Sequence, residues 1–522
     1  MKYSPEEVIQ FVQEEDVKFI RLAFCDVYGK QKNITIMPSQ LQRAFTYGVA
    51  FDASAIAGFG GEVRSDLFLH PDPATLISLP WRPENGRVVR MFCDVTHPDG
   101  TPLDSDTRGL LKKAVAQAAQ EGYAFAFGSE MEFYLFQTDE AGNPTTQPYD
   151  QAGYMDVAPE DKGENIRREI CMILEQMGIQ PEGSHHEEGP GQNEIDFRYS
   201  DPLTAADNAV TFCSIVKTVA AHNGLWADFS PKPLSNRAGS GLHINFSVKG
   251  PEGSDPLPHV IAGLLDQAYP LTAFLNPTAN SYLRLGSSKA PGYITWSSEN
   301  RSQLIRIPAA VGEFRRAELR SADPAANPYL AFAMLIYAGL YGIKQGLTLP
   351  APADFNLYTA PAGVLSRYRR LPTCLEEAMS AALGEQVCHP APAPLGSRRL
   401  LPPERLISFG EGGDVMVFQE RTYSVLVVSA SAAFDRTVSD LLPRNDFFPV
   451  NMVKSCGEAR RALLDKEYDI VLINAPLQDD FGMRLAIDVC STSHAGVLLC
   501  VKSALYNDVY SKVTPHGSAH PV

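Results

Sequence analysis

The 522-residue sequence is short of several things. Its nine cysteines are scattered singly, with no Cys-x-x-Cys pair. That argues against a disulfide framework and against a zinc cluster, and it fits a reducing compartment. Positive charge is in deficit, with 45 Lys and Arg against 61 Asp and Glu, a net charge of −16. Direct nucleic-acid binding is therefore not expected, although a few local arginines suffice to hold a nucleotide. No apolar run has the length of a membrane span. The opening residues, Met1 to Asp16, are acidic and polar and carry no signal-peptide core, so a cytoplasmic location is expected. What is present is ordinary globular composition, 44% hydrophobic and 20% charged. The length predicts about three domains.

Residues 1–100 read as a small α/β unit. Pro5 to Glu15 is a short helix candidate, and Phe19–Cys25, Asn33–Met37 and Arg87–Cys93 are strand candidates. His97-Pro98-Asp99-Gly100 is a turn and a boundary signal. Residues 101–385 form the largest unit. Arg108–Gln120 and Asn165–Met177 have helical periodicity, and Gly178 stops the second. Strand candidates are Ala124–Phe136, Glu194–Tyr199, Gly241–Val248, Gln303–Pro308 and Arg315–Arg320, followed by an apolar helix over Tyr329–Gly346. Residues 386–421, Pro-rich and then Gly-rich, read as a linker or a decayed segment. From 422 to 522 strands and helices alternate (Ser424–Ser429, Glu458–Asp465, Asp469–Asn474, Val497–Val501), which predicts a doubly wound α/β fold.

The chemistry begins at Gly128-Ser129-Glu130-Met131-Glu132-Phe133. Two carboxylates two residues apart on a strand point to the same face. On a strand otherwise apolar they need a counter-ion, and a hard divalent cation such as magnesium or manganese is the usual solution. Two solvent-facing glutamates on an edge strand would look the same in sequence. His185-His186-Glu187-Glu188-Gly189-Pro190-Gly191-Gln192-Asn193-Glu194 adds acids and histidines on a turn. Gly239-Ser240-Gly241-Leu242-His243-Ile244-Asn245 brings glycines, which admit close backbone approach, to a strand with His243 and Asn245 on one face. A lone histidine is more often a satisfied core residue. Then Arg284, Arg301, Arg306, Arg315, Arg316 and Arg320 follow in quick succession. Arg316, Glu318 and Arg320 share one strand face, either as a structural ion network or as part of a site. Carboxylates and arginines converging on one cavity suit metal-bridged phosphates. The residues alone reach metal- and nucleotide-dependent phosphoryl chemistry on an acidic substrate.

These motifs resemble glutamine synthetase of the bacterial type I class. The resemblance is carried by Phe51-Asp52-Ala53-Ser54, Gly128-Ser129-Glu130-Met131-Glu132, Gly191-Gln192-Asn193-Glu194, Gly239-Ser240-Gly241-Leu242-His243, Asn300-Arg301-Ser302, Ile305-Arg306-Ile307-Pro308 and Asp323-Pro324-Ala325-Ala326-Asn327-Pro328-Tyr329. It implies an α+β chain with an N-terminal β-grasp domain and a catalytic domain built on a curved antiparallel sheet. It implies ATP as co-substrate, two or more Mg2+ or Mn2+ ions per site, and a homo-oligomer with active sites between subunits. One ion would be held by Glu132, Glu187 and Glu194, the other by Glu130, His243 and Glu318. Glutamate would sit against Gly239, His243, Arg284 and Arg320. Arg301, Arg306 and Arg316 would hold phosphates, and Ser247 would lie near the nucleotide. Asp52, from the adjacent subunit, would bind ammonium and take its proton. The reaction would pass through γ-glutamyl phosphate to the amide.

Three departures accompany the resemblance. Where the family's flap carries a glutamate before Ala-Pro, this chain has Lys289 in Gly286-Ser287-Ser288-Lys289-Ala290-Pro291. At about 4 Å and an effective dielectric of about 20, each unit charge is worth about 4 kcal/mol to an ammonium ion, so the altered sign bears on the amine used. Ala238 stands where the family has an asparagine, and Ser54-Ala55 replaces a serine pair. The family's C-terminal helical segment is not recognisable after Gly384, which leaves hexamer, dodecamer and smaller assemblies open. Residues 422–522 resemble a response-regulator receiver domain, incomplete, without its acidic pair (Ser429-Ala430-Ser431 stands there) and with Asn474 at the phosphoacceptor position. Such a domain would serve as a protein-interaction or sensing module. Two alternatives stand beside glutamine synthesis: a γ-glutamyl ligase for another amine, and a catalytically weak nitrogen-sensing regulator.

Overall fold

The first helix shows how locally the chain is specified. The Ser4 hydroxyl accepts from the Glu7 N–H while the Glu7 carboxylate accepts from the Ser4 N–H, a capping box that starts α1 (Pro5–Glu14). The computed structural model describes residues 3–59, 65–80, 86–287, 289–308, 315–384, 423–442, 447–466, 468–477, 479–492 and 496–501. Two units separate, Met1–Met416 and Val417–Val522.

The N-terminal part of the first unit contains α1, β1 (Val17–Cys25), β2 (Gln31–Ile36), α2 (Leu41–Tyr47), β3 (Val49–Asp52), β4 (Asp66–Pro71), β5 (Ile77–Leu79) and β6 (Arg87–Thr96). The sheet order is β2-β1-β6-β4-β3, with β5 also on β6 and β1 parallel to β6. This is the β-grasp arrangement that the sequence resemblance implied. The β1–β2 turn is fixed by Asp26, whose Oδ1 accepts the Tyr28 and Lys30 N–H groups, and by Gly29 at φ +73°. Ile20, Leu22, Val89 and Met91, all fully buried, form the centre of its core. The short strands β3, β4 and β5 were not foreseen from sequence.

The catalytic part follows with α3 (Thr107–Gln120), β7 (Ala124–Thr138), β8 (Pro144–Pro148), α4 (Glu164–Gln176), β9 (Pro181–His186), β10 (Gln192–Phe197), α5 (Pro202–His222), β11 (Leu225–Asp228) and β12 (Leu242–Lys249). It ends with α6 (Leu257–Leu275), α7 (Ser281–Arg284), β13 (Trp296–Ser297), β14 (Ile305–Arg306), β15 (Ala317–Leu319), α8 (Pro328–Lys344), α9 (Ala362–Leu365) and α10 (Leu375–Ala382). The sheet runs β13-β14-β15-β12-β7-β10-β9, with β8 and β11 also on β7. Its pairs are antiparallel except β13 with β14. The long strand β7 organises the unit. Phe127, Met131, Phe133 and Leu135 point into the core, and Glu130 and Glu132 occupy the opposite face by strict alternation.

The β-grasp and catalytic parts are tied together by a buried ion network. The Arg108 guanidinium donates to Asp207, Asp72 and Asp94, and Tyr329 Oη donates to Asp207 at 2.7 Å. Buried charge is tolerated here because every carboxylate has a guanidinium or hydroxyl partner.

The second unit contains β16 (Tyr423–Ser429), α11 (Ala432–Leu441), β17 (Phe447–Val453), α12 (Cys456–Asp465), β18 (Ile470–Asn474), α13 (Met483–Thr492) and β19 (Gly496–Cys500). Its parallel sheet has the order β17-β16-β18-β19, a doubly wound pattern with helices between successive strands. Asn474 and Ser429 meet at the C-terminal ends of β18 and β16, with Nδ2 donating to Oγ at 3.2 Å. Asp479 is not merely solvated as a loop acid usually is. It accepts the Cys456 and Gly457 N–H groups and so caps α12. The expected linker over 386–421 lies outside the described residues.

Candidate active site and metal centre

One face of the catalytic sheet lines a cavity of about 780 Å³. Strand β7 presents Glu130 and Glu132, β10 presents Glu194 and Asp196, and β12 presents His243 and Asn245. Register explains the meeting: Glu194 pairs with Glu132, His243 with Glu130, and Asn245 with Glu318 of β15. The turn after β9 adds Glu187 and Glu188.

Two glycines let the walls close. A Cβ on Gly239 would meet the Pro231 carbonyl at 2.5 Å and Arg284 Cγ at 2.9 Å. One on Gly241 would meet an Arg284 nitrogen at 2.8 Å and His243 Nε2 at 2.9 Å. The Gly241 N–H donates to Glu132 Oε2 at 2.9 Å, which the Gln192 amide also contacts at 2.9 Å.

The carboxylates fall into two environments. Glu318 is held by two guanidiniums: Arg306 donates at 2.8 Å and Arg320 also donates, and His243 Nδ1 stands 3.8 Å away. Burial would raise the Glu130 pKa, but His243, the Asn245 amide and Arg320 outweigh it and hold this carboxyl well below its usual range. At the other end, no lysine or arginine pairs with Glu132 or Glu194 among the described residues. Burial first, and then the neighbouring Glu132, Asp196, Glu130 and Glu187 charges, push the Glu194 pKa far up. Burial and Glu130 push Asp196 up to about 6. Glu187 shifts the other way despite burial, because His185 Nε2 lies 3.0 Å from its Oε1.

That charge imbalance is the test of whether a divalent ion fits. Glu130, His243 and Glu318 place one donor atom each within 4.8 Å of one another, and so do Glu132, Glu194 and His243, and His185, Glu187 and Glu194. Hard carboxylate oxygens with an imidazole nitrogen suit magnesium or manganese. A cation would relieve the repulsion that now raises Glu194. The residues present therefore fit the group.

The same cavity is lined by Arg284, Arg301, Arg306, Arg316 and Arg320. Arg284 is buried and donates to the Ser321 and Arg320 carbonyls at 2.7 and 3.2 Å. The Arg316 Nε donates to Asn245 Oδ1 at 3.0 Å. Arg306 and Arg320 each keep a buried Nε with no hydrogen-bond partner among the described residues. Lys289 lines the mouth at φ +68°, its Nζ 3.8 Å from Glu188.

Of the residues singled out from sequence, Glu130, Glu132, Glu187, Glu194, Gly239, His243, Arg284, Arg301, Arg306, Arg316, Glu318 and Arg320 all line this one cavity. Ser247 lies on the same face of β12, outside the lining. Asp52 is also outside it, exposed at the end of β3, its Oδ1 accepting the Ser54 N–H. Arg315, in the arginine run, faces away and pairs with Asp255. Sequence reasoning missed Asp196, Tyr154 and Tyr358. Asp196 had a signal, since it stands two residues after Glu194 on one strand face. The tyrosines are on loops and gave none.

Comparison with known proteins agrees with this geometry. Residues 16–98 match the glutamine synthetase β-grasp domain family, and residues 104–391 match the glutamine synthetase catalytic domain family. The glutamine synthetase of Clostridium saccharobutylicum is 46% identical over 370 residues, 68% of this chain and 84% of that one. That of Methanosarcina mazei is 45% identical over 398 residues, 73% of this chain and 89% of that one. A solved GmaS/ADP complex superposes with a TM-score of 0.65 at 30% identity, over 72% of this chain and 90% of that one. The chain belongs to the glutamine synthetase family, the ATP- and divalent-metal-dependent ligases that make glutamine from glutamate and ammonium.

Proposed function

We propose that Glu130, His243 and Glu318 hold one divalent ion and that Glu132, Glu187 and Glu194 hold another, within a synthetase of the bacterial type I class. When bound, the ions neutralise and polarise the oxygens of the glutamate carboxylate and of the nucleotide phosphates. The chain's own residues bind and orient. Gly239, His243, Arg284 and Arg320 receive glutamate, and the buried guanidiniums suit its carboxylate. Arg301, Arg306 and Arg316 hold the phosphates and the charge that spreads over the transferred phosphoryl group. Ser247 is placed near the nucleotide. The γ-carboxylate oxygen attacks the γ-phosphorus and ADP leaves. Ammonia then attacks the acyl carbon, and phosphate departs carrying one former carboxylate oxygen. Asp52 of a neighbouring subunit takes the ammonium proton, which makes the working unit a homo-oligomer.

The observation that carries this reading is the single cavity that brings uncompensated carboxylates and five arginines together. Glutamate labelled with 18O in its γ-carboxylate tests it. Label recovered in inorganic phosphate is expected, and unlabelled phosphate would refute the acyl-phosphate route. A second reading, ligation of another small amine, is favoured by Lys289 at the cavity mouth. For the second unit, the parallel order β17-β16-β18-β19 supports a receiver-like module. Asn474 in hydrogen bond with Ser429 supports an interaction role without acyl phosphate.

A further inference from the structure

Behind Glu187 lies a buried cluster that the reaction does not use. Asp150, Asp161 and His186 bring donor atoms within 4.8 Å of one another, but they share the space with Arg167. Arg167 donates to both Asp161 oxygens, at 3.2 and 2.6 Å, and to the Asn193 amide oxygen at 2.6 Å. The cluster is thus already charge-compensated, and it is no metal site.

The orientation of His186 shows what it does instead. Its ring is fully buried, and both nitrogens face acceptors. Nδ1 is 2.7 Å from the Glu187 carbonyl oxygen, and Nε2 is 2.9 Å from Asp150 Oδ1. Carbonyl and carboxylate are both acceptors, so the ring is pinned between the Glu187 backbone and Asp150. The same Asp150 Oδ1 accepts the Gly191 N–H at 2.9 Å, and its Oδ2 accepts the Lys162 N–H at 3.1 Å. The hydrogen-bonded Asp150–His186 pair therefore grips the turn at both ends, at the Glu187 carbonyl and at the Gly191 amide. Between those points the turn carries Glu187, against Glu194 and His185, and Glu188, against Lys289.

We propose that Asp150 and His186 are positioning residues that hold the 187–191 turn so that the Glu187 carboxylate meets the metal centre. This rests on the reading that Glu187 is a metal ligand. Partners behind a ligand typically contribute 10–100-fold in metal affinity. The loss of either side chain frees the turn without touching a donor atom.

The test is direct Mn2+ titration of the full chain by calorimetry, beside the Mg2+ dependence of turnover, in Asp150→Asn, His186→Gln and Glu187→Gln. Asp207→Asn, in the remote Arg108 network, controls for general destabilisation. Asp150→Asn keeps shape and some acceptor capacity, so it serves if His186→Gln does not fold. The expected result for Asp150→Asn and His186→Gln is Mn2+ affinity weakened about 10–100-fold, a parallel rise in half-saturating Mg2+, and kcat at saturating Mg2+ close to that of the parent, with a larger loss of affinity in Glu187→Gln. Unchanged metal affinity in folded Asp150→Asn, with Glu187→Gln weakened, would overturn the positioning role alone. Unchanged affinity in Glu187→Gln would overturn the ligand reading beneath it. An equal weakening in Asp207→Asn would reduce the effect to general destabilisation and overturn the proposal.

Discussion

Replacing Glu318 with alanine separates structure from metal chemistry at the most connected carboxylate of the site. Glu318 is 2% exposed and accepts from Arg306 and Arg320. Arg320 is itself 5% exposed, and both guanidiniums already have a buried Nε unpartnered among the described residues. Removing the shared acceptor leaves two cations facing each other with no carboxylate between them. Breaking a buried pair from one side costs about 3–5 kcal/mol. The second loss is a donor beside His243 and Glu130. A removed ligand exceeds the effect of a removed outer partner, so Mn2+ affinity falls more than about 100-fold. Glu318→Gln distinguishes the two losses. It keeps the volume and an acceptor oxygen, so it regains part of the stability, but a neutral amide does not restore the metal affinity. The assay is thermal unfolding, Mn2+ calorimetry and phosphate release from ATP, on both variants. A folded Glu318→Ala protein with near-parental turnover and metal affinity would refute the metal assignment.

Lys289→Glu lowers the half-saturating ammonium concentration. The pair with Glu188 is exposed, so each charge is worth about 1 kcal/mol at 4 Å in water, and the swap reaches at most about 30-fold. The gain shrinks as salt rises, and an ammonium KM unchanged at low salt would count against Lys289 lying on the amine's route. Asp207→Asn lowers thermal stability by about 1–3 kcal/mol, because Arg108 and Tyr329 lose a charged partner. Its kcat stays at the parental value, since Asp207 lies outside the cavity lining. Added Mg2+ stabilises metal-stripped protein by about 2.7 kcal/mol at 100 times its Kd, which raises the unfolding temperature, and a chelator reverses the rise. The stabilisation fades as pH falls, because the ligands must be deprotonated to bind. A Tm indifferent to Mg2+ at neutral pH would contradict the fit argued from Glu194.

What was legible in the sequence follows from how local each signal is. Glu130 and Glu132 declared a common face because strand alternation needs no tertiary information. The Arg316, Glu318 and Arg320 triplet did the same, and all three line the cavity. Helices α3 and α4 were found within a residue or two, since each carries one apolar stripe and a stop. Helices α5 and α6 were missed because they are buried on most sides and present no amphipathic stripe, and α6 also contains Pro270. Strands β14 and β15 are only two and three residues long where six were expected. The clamp at Asp150 and His186 joins side chains 36 positions apart through a turn, and no spacing rule reveals it. The roles of Asp52 and Ser247 rest on resemblance, as neither lines the cavity of the single chain.

This cavity joins ammonium to glutamate at the expense of ATP. Phosphate release from ATP by the purified chain, with Mg2+ and glutamate, tests it most directly when ammonium is compared with a panel of small alkylamines. Release is expected to require both Mg2+ and glutamate and to be strongly stimulated by ammonium, with glutamine formed in equal amount. Stimulation by an alkylamine alone, or no stimulation by any amine in a chain that binds ATP, would contradict it.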